Sequence, residues 1–196
     1  MMTIIIDYNT GNLFSLTAAL NRLGSDYTIS SSPEEILSAD AVILPGVGEA
    51  SNAFSSLKKR GLERVIPQIK APVLGICIGM QLMCAYSEEG DTKCLGIFPN
   101  IVKKLCGQGI KVPHMGWNTV QMSDSPLFEG ITNDAYFYFV HSFAPDCGQY
   151  TVARTVHGLQ FSSALSKNNF YGTQFHPEKS GIVGMKLLEN FLKIKI

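Results

Sequence analysis

A couplet repeated through the first half of the chain most restricts its fold: a short strand-like run stops at a turn, and apolar residues then recur at helical spacing. Thr3–Asp7 leads into Tyr8-Asn9-Thr10-Gly11, after which Leu13, Leu16, Leu20 and Leu23 follow at helical intervals up to a stop at Gly24. Tyr27–Ser30 reads as a second strand. Ser32-Pro33-Glu34-Glu35 reads as a capping box, with a serine N-cap, proline at the first helical position and a glutamate reaching back. Ala41–Leu44 is a buried-type strand ending at Pro45-Gly46-Val47-Gly48, and the helix after it runs toward Arg60 with Gly61 as its stop. Val73–Ile76 is a further apolar strand, followed by helix over Gly79–Tyr86. Strands alternating with helices predict a parallel sheet with helices on both faces.

The second half differs. Asn118–Met122, Ala135–Val140, Thr151–Val156, Phe161–Leu165 and Phe170–Gln174 are strand-like and closely spaced, leaving room for hairpins rather than helical crossovers. A closing helix over Ile182 to Leu192 offers Ile182, Met185, Leu188 and Phe191 as its apolar face. No repeat, linker or low-complexity tract divides the chain, so residues 1–196 are expected to form one α/β domain around a mixed, mostly parallel sheet.

Composition narrows the partners. With Lys+Arg 16 against Asp+Glu 16, the chain has no net charge and lacks the electrostatic footprint for nucleic acid or an anionic membrane. Charged residues are only 16% of the chain and hydrophobic ones 45%, which suits a large core or a surface covered by a partner. Cysteines at 77, 84, 94, 106 and 147 are odd in number and form no C-x-x-C pair, so neither a disulfide framework nor a zinc site is indicated. Free thiols fit a reducing compartment, and the sequence shows neither a signal peptide nor a spanning segment. The expected location is the cytoplasm.

Three loops carry chemistry. In Val73-Leu74-Gly75-Ile76-Cys77-Ile78-Gly79-Met80-Gln81 a strand runs into Gly-x-Cys-x-Gly and then a helix, the cysteine form of a nucleophile elbow. Cys77 at a helix start would also feel the positive end of the helix dipole, which favours the thiolate. His176-Pro177-Glu178 follows the strand Phe170–Gln174 and can supply the base a cysteine nucleophile needs, together with the carboxylate that orients it. Pro45-Gly46-Val47-Gly48 also stands at a strand's carboxyl end and can aim backbone N–H groups into a site, with the Ile78 N–H as the second oxyanion donor. Each segment alone is compatible with ordinary packing; their combination points to nucleophilic catalysis.

Gly75-Ile76-Cys77-Ile78-Gly79-Met80-Gln81 together with His176-Pro177-Glu178 resembles the class I (triad) glutamine amidotransferases. Within that family, Pro113-His114-Met115-Gly116-Trp117-Asn118, Tyr138-Phe139-Val140-His141-Ser142 and Asp7-Tyr8-Asn9-Thr10-Gly11-Asn12 are similar to the glutaminase subunits of imidazole glycerol phosphate synthases. The likeness extends from Ile4 to Phe191. It implies a flavodoxin-like sheet, no metal or cofactor, and glutamine hydrolysis through a thioester on Cys77. His176 would move protons and Glu178 would orient it. The oxyanion would sit between the backbone of Val47 and Ile78, and Gly48, Gln81 and Ser142 would hold the glutamine. Ammonia would pass to a separate HisF-type (β/α)₈ cyclase subunit, faced by Asn12, Trp117, Tyr138 and Lys179. Ile78 stands where leucine is commoner, and Phe143 where tyrosine is frequent.

His114 and His141 read as satisfied structural histidines, His157 as a surface loop residue, and Cys84 as a packing residue beneath Cys77 on one helix face. Three alternatives stay open: a paralogous glutaminase feeding another synthase, for instance in amidation of a surface sugar; a non-catalytic scaffold on the same fold; and a cysteine peptidase of similar fold.

Overall fold

The computed structural model describes residues 2–9 and 13–195. Its first half keeps the strand–helix alternation: β1 (Thr3–Ile6), α1 (Phe14–Arg22), β2 (Tyr27–Ser30), α2 (Pro33–Ser38), β3 (Ala41–Leu44), α3 (Ala50–Lys59), α4 (Leu62–Val65), β4 (Val73–Ile76) and α5 (Ile78–Met83). Then come the short strands β5 (Tyr86–Ser87), β6 (Thr92–Lys93) and β7 (Ile101–Lys104). Longer strands come next: β8 (His114–Met122), β9 (Ala135–His141), β10 (Phe143–Pro145), β11 (Thr151–His157), β12 (Leu159–Lys167) and β13 (Phe170–Thr173), before α6 (Gly181–Lys193).

The main sheet runs β2-β1-β3-β4-β13-β12-β11-β8-β9. Its first five strands are parallel, and the remaining pairings are antiparallel. Every residue of β1, β3, β4 and β13 is buried, because helices cover both faces. The chain reverses direction at β1, so right-handed crossovers place successive helices on opposite sides. Accordingly α1 and α6 both meet the turn Pro177–Lys179, whereas α2 meets α4, and α3 meets both α4 and α5.

Several sequence expectations change in detail. A second sheet, ordered β10-β7-β5-β6, occupies residues expected to be loop or helix end. Helix α5 ends at Met83, and Cys84 leaves the helix with extended backbone, buried, its thiol pushed up well above the usual range by burial. At α2 the Ser32 side chain accepts from the Glu35 N–H as expected, at 3.4 Å, but Glu35 does not reach back; the Ser32 N–H donates to Ser30 Oγ instead. The core side of α6 is Gly184, Leu187, Leu188, Asn190 and Phe191, while Ile182 is 89% exposed. The reason is close packing: a Cβ at Gly184 would sit 1.9 Å from the Pro177 carbonyl oxygen. At the far end Asn190 Nδ2 donates to the carbonyls of Leu127 and Glu129. A polar residue therefore belongs to the buried face, because the turn beneath it presents acceptors.

Candidate active site

Three neighbouring parallel strands, β3, β4 and β13, end on the same edge of the sheet. They lead into residues 45–48, Cys77 and residues 174–176 respectively, so topology alone gathers the three loops. Cys77 is the N-cap of α5 and has φ +54° and ψ −108°, a conformation that costs a non-glycine residue about 1–3 kcal/mol. That turn holds because α5 lies tightly against the end of β3: a Cβ at Gly79 would stand 1.8 Å from the Leu44 carbonyl oxygen. Ile78, at the first helical position, has an N–H with no acceptor within the helix.

A cleft of about 370 Å³ opens over this edge. Cys77 and His176 line it from the strand ends, Val47 and Gly48 from the loop after β3, Ile78 and Gln81 from α5, and Ser142 and Phe143 from the start of β10. His141 also lines it, and so does Glu89, which the sequence motifs did not single out. Glu89 comes just after the β5 strand, and its Oε2 accepts from the Ala50 N–H at the start of α3 at 2.8 Å. Burial, the larger cause, raises its carboxyl pKa; that hydrogen bond lowers it. A Ser-Glu-Glu-Gly segment carries no spacing that announces a pocket, so only tertiary structure reveals it.

His176 is 2% exposed, and its Nδ1 lies 2.8 Å from Glu178 Oε1. Burial by itself would lower the imidazole pKa. The neighbouring Cys77 sulfur and the Glu178 carboxylate outweigh it and raise the pKa to about 10. With Nδ1 bonded to the carboxylate, Nε2 is the free corner of the ring, buried and without a hydrogen-bond partner. This is the arrangement of a base oriented by a carboxylate beside a thiol. The Cys77 sulfur itself lies 3.6 Å from Gln174 Nε2 and 4.0 Å from the Val140 carbonyl.

Gln81 is 1% exposed; its Nε2 donates to the Phe143 carbonyl at 2.8 Å and to Gln174 Oε1 at 3.0 Å, leaving its Oε1 buried and unpartnered. His114 and His141 are buried in β8 and β9 and bonded ring to ring, Nδ1 to Nε2, at 3.0 Å. Burial is the larger cause that lowers both, to about 4 and about 3. His157 is no loop residue: it ends β11, half-buried, its ring stacked on His114 at 4.1 Å and its Nε2 2.8 Å from the Lys111 carbonyl.

Outside the cleft, β8 and β9 present Met115, Trp117 and Tyr136 to solvent. Trp117 and Tyr138 are paired across the ladder, their rings edge to face at 6.1 Å, with Lys179 Nζ 6.0 Å from the Tyr138 ring. Tyr138 touches the site through its backbone: its carbonyl accepts from the His176 N–H, and its own N–H donates to Ser180 Oγ, which donates to the His176 carbonyl at 2.6 Å. Trp117, Tyr138 and Lys179 thus stand together beside the turn that carries His176 and Glu178. Asn12 lies outside the described residues.

The family model "Glutamine amidotransferase class-I" matches residues 4–194. The chain is 50% identical over 196 residues to the imidazole glycerol phosphate synthase subunit HisH of Bacteroides fragilis, covering 99% of this chain and 100% of that one. It is 46% identical to the protein of the same name from Vibrio cholerae, covering 97% and 98%. Among solved structures, a GMP synthase subunit from Thermoplasma acidophilum superposes with a TM-score of 0.76 at 22% identity, over 98% of this chain and 92% of that one. PurLQS from Thermotoga maritima superposes with a TM-score of 0.73 at 15% identity, over 97% of each. The solved structures speak for the fold, the family model and the sequence relatives for the lineage: this chain belongs to the class I glutamine amidotransferases.

Proposed function

We propose that the chain hydrolyses L-glutamine to glutamate and ammonia and delivers the ammonia to a HisF-type (β/α)₈ cyclase subunit in histidine biosynthesis. The observation that carries this reading is the His176–Glu178 pair, 2.8 Å apart, with its free Nε2 beside Cys77 at the head of the cleft. The Cys77 thiolate attacks the side-chain amide carbon of glutamine. The oxyanion forms between the backbone N–H groups of Val47 and Ile78, each such donor being worth roughly 10²–10³ in rate. His176, held as imidazolium at neutral pH, gives its proton to the departing ammonia and then takes one from the water that cleaves the thioester.

Gly48, Gln81 and Ser142, which all line the cleft, hold the substrate in this scheme. Glu89 adds a carboxylate on the wall, suited to the ammonium of an amino acid. The cyclase docks on Trp117, Tyr138 and Lys179 together with Asn12. Two features support that face: exposed aromatic surface at Trp117, and backbone hydrogen bonds that connect Tyr138 to His176. We further propose that residues 1–196 act as one domain of this type, in the cytoplasm; no described helix is long and apolar enough to cross a membrane. A glutaminase feeding a different synthase would share the same triad, but relatives 46–50% identical over nearly the whole chain support the histidine-pathway assignment.

The test is glutamine hydrolysis with and without the cyclase and its ribotide ligand, for wild type and Cys77→Ala. Ligand-stimulated turnover that disappears in Cys77→Ala is the expected result. Turnover indifferent to the cyclase would move the enzyme to another synthase, and none under any condition would leave a scaffold.

A further inference from the structure

The polarity of one carbonyl decides which atom faces the Cys77 sulfur. The Phe143 carbonyl can only accept, so the Gln81 atom 2.8 Å from it must be the nitrogen Nε2. The second proton of that nitrogen points at the Gln174 side chain 3.0 Å away, and the Gln174 atom receiving it must be Oε1. The opposite end of the Gln174 amide is therefore Nε2, and it lies 3.6 Å from Cys77 Sγ. The same carbonyl accepts from His141 Nδ1 at 2.9 Å, so its acceptor role is demanded from two sides. Turning Gln81 over would set its oxygen against the Phe143 carbonyl and Gln174 Oε1, and turning Gln174 over would set nitrogen against nitrogen.

Register makes the contact. Strands β13 and β4 are parallel, with Thr173 opposite Ile76, so the next residues, Gln174 and Cys77, leave the sheet side by side. Gln174 is fully buried, and water cannot stand in for its side chain. The other groups around the sulfur do different things. The Val140 carbonyl on β9, 4.0 Å away, can only accept; His176 follows β13 as the base, backed by Glu178; His141 on β9 and Glu89 line the cleft.

We propose that Gln174 is a further catalytic residue, whose side-chain N–H donates to the Cys77 sulfur and stabilises the attacking thiolate. A hydrogen bond to the charged form favours that form, and one with an ionised partner is stronger than a neutral one. The proposal rests on Cys77 being the nucleophile.

It is tested by the pH dependence of Cys77 alkylation by iodoacetamide in wild type, Gln174→Met and Gln174→Glu, read on the Cys77 peptide by mass spectrometry. Peptide resolution is needed because Cys106 and Cys147 are exposed thiols. The expected result is a midpoint raised by roughly one to two pH units in Gln174→Met. Gln174→Glu should shift further, since it sets a like charge beside the thiolate. Midpoints equal to wild type in both folded variants would overturn the proposal. If neither variant folds, wild type decides by NMR: the Gln174 side-chain amide proton must titrate with the Cys77 midpoint, and an amide indifferent to that titration overturns it. Alkylation needs no glutamine turnover. A wild type inactive on glutamine therefore removes the proposed function while leaving the midpoints readable, whereas normal turnover with unshifted midpoints removes only the role of Gln174.

Discussion

Cys77 sits in strained backbone at φ +54°, and the strain is maintained by what surrounds it. Gly79→Ala would drive a methyl group into the Leu44 carbonyl, which is backbone and cannot swing aside. We expect it to lower thermal stability by about 2 kcal/mol or more and to move Cys77 out of line, so that residual activity falls further than stability alone explains. Glu178→Gln keeps the shape of the His176 partner but removes its charge. Glutaminase activity should fall by on the order of 10²–10⁴, and an NMR titration should find the His176 pKa lowered from about 10, the Cys77 sulfur keeping part of the rise. Because that folded value lies above the roughly 6.5 of a free histidine, the stabilisation is complete below about pH 6.5 and is lost as pH rises through about 10. Alkaline melting curves should therefore be steeper for wild type than for Glu178→Gln, and equal slopes would contradict this account. Cys77, His176 and Glu178 are legible in the sequence because each belongs to a short peptide whose glycines or proline already imply a turn. Gln174 and Glu89 are not, since nothing local distinguishes a glutamine that ends a strand or a glutamate in a polar loop from its neighbours.

At the scale of elements, the β8–β9 ladder is where side-chain chemistry and strand pairing meet. His114 and His141 face each other across it, and their bonding runs in one direction: Asn118 Nδ2 to His114, His114 to His141, His141 to the Phe143 carbonyl. Each imidazole is thus held neutral in a defined tautomer. Both pKa values are depressed below about 6.5, so the unfolded chain takes up protons that the folded one refuses. Stability from this pair is present above about pH 6.5 and declines as pH falls toward about 4 and about 3. His141→Gln should make the acid limb of a denaturation profile shallower by one proton, about 1.4 kcal/mol per pH unit; an unchanged limb would show that other groups set it. The sequence indicated both strands, but β8 begins four residues earlier than the expected Asn118, at His114. Pro113, Gly116 and the polar Asn118 mask the alternation there, and it is pairing with all of β9 that extends the strand. Helix α6 makes the same point, because its buried face includes Asn190, which periodicity counts as polar.

For the molecule as a whole, the parallel half of the sheet fixes the site and the antiparallel half forms the proposed docking face. If the cyclase docks on Trp117, Tyr138 and Lys179, then Trp117→Ala and Lys179→Ala should weaken complex formation and ammonia-coupled synthesis. Melting temperature should change little, because Trp117 is 55% exposed. Titration of the cyclase against each variant, with ammonium salts as a bypass nitrogen source, would separate lost docking from lost chemistry. Unchanged affinity would place the interface elsewhere. The amino-acid sequence by itself determined the α/β class, the parallel first half, the nucleophile elbow and the His-Pro-Glu turn. All of these follow from periodicity and turn chemistry within a few residues, where local physics decides. Only the tertiary structure decided that Glu89 joins the cleft, that Gln174 meets the Cys77 sulfur, that His157 stacks on His114, and that Ile182 faces solvent. Each of these depends on strand register or helix rotation between segments far apart in the chain, which no local pattern encodes.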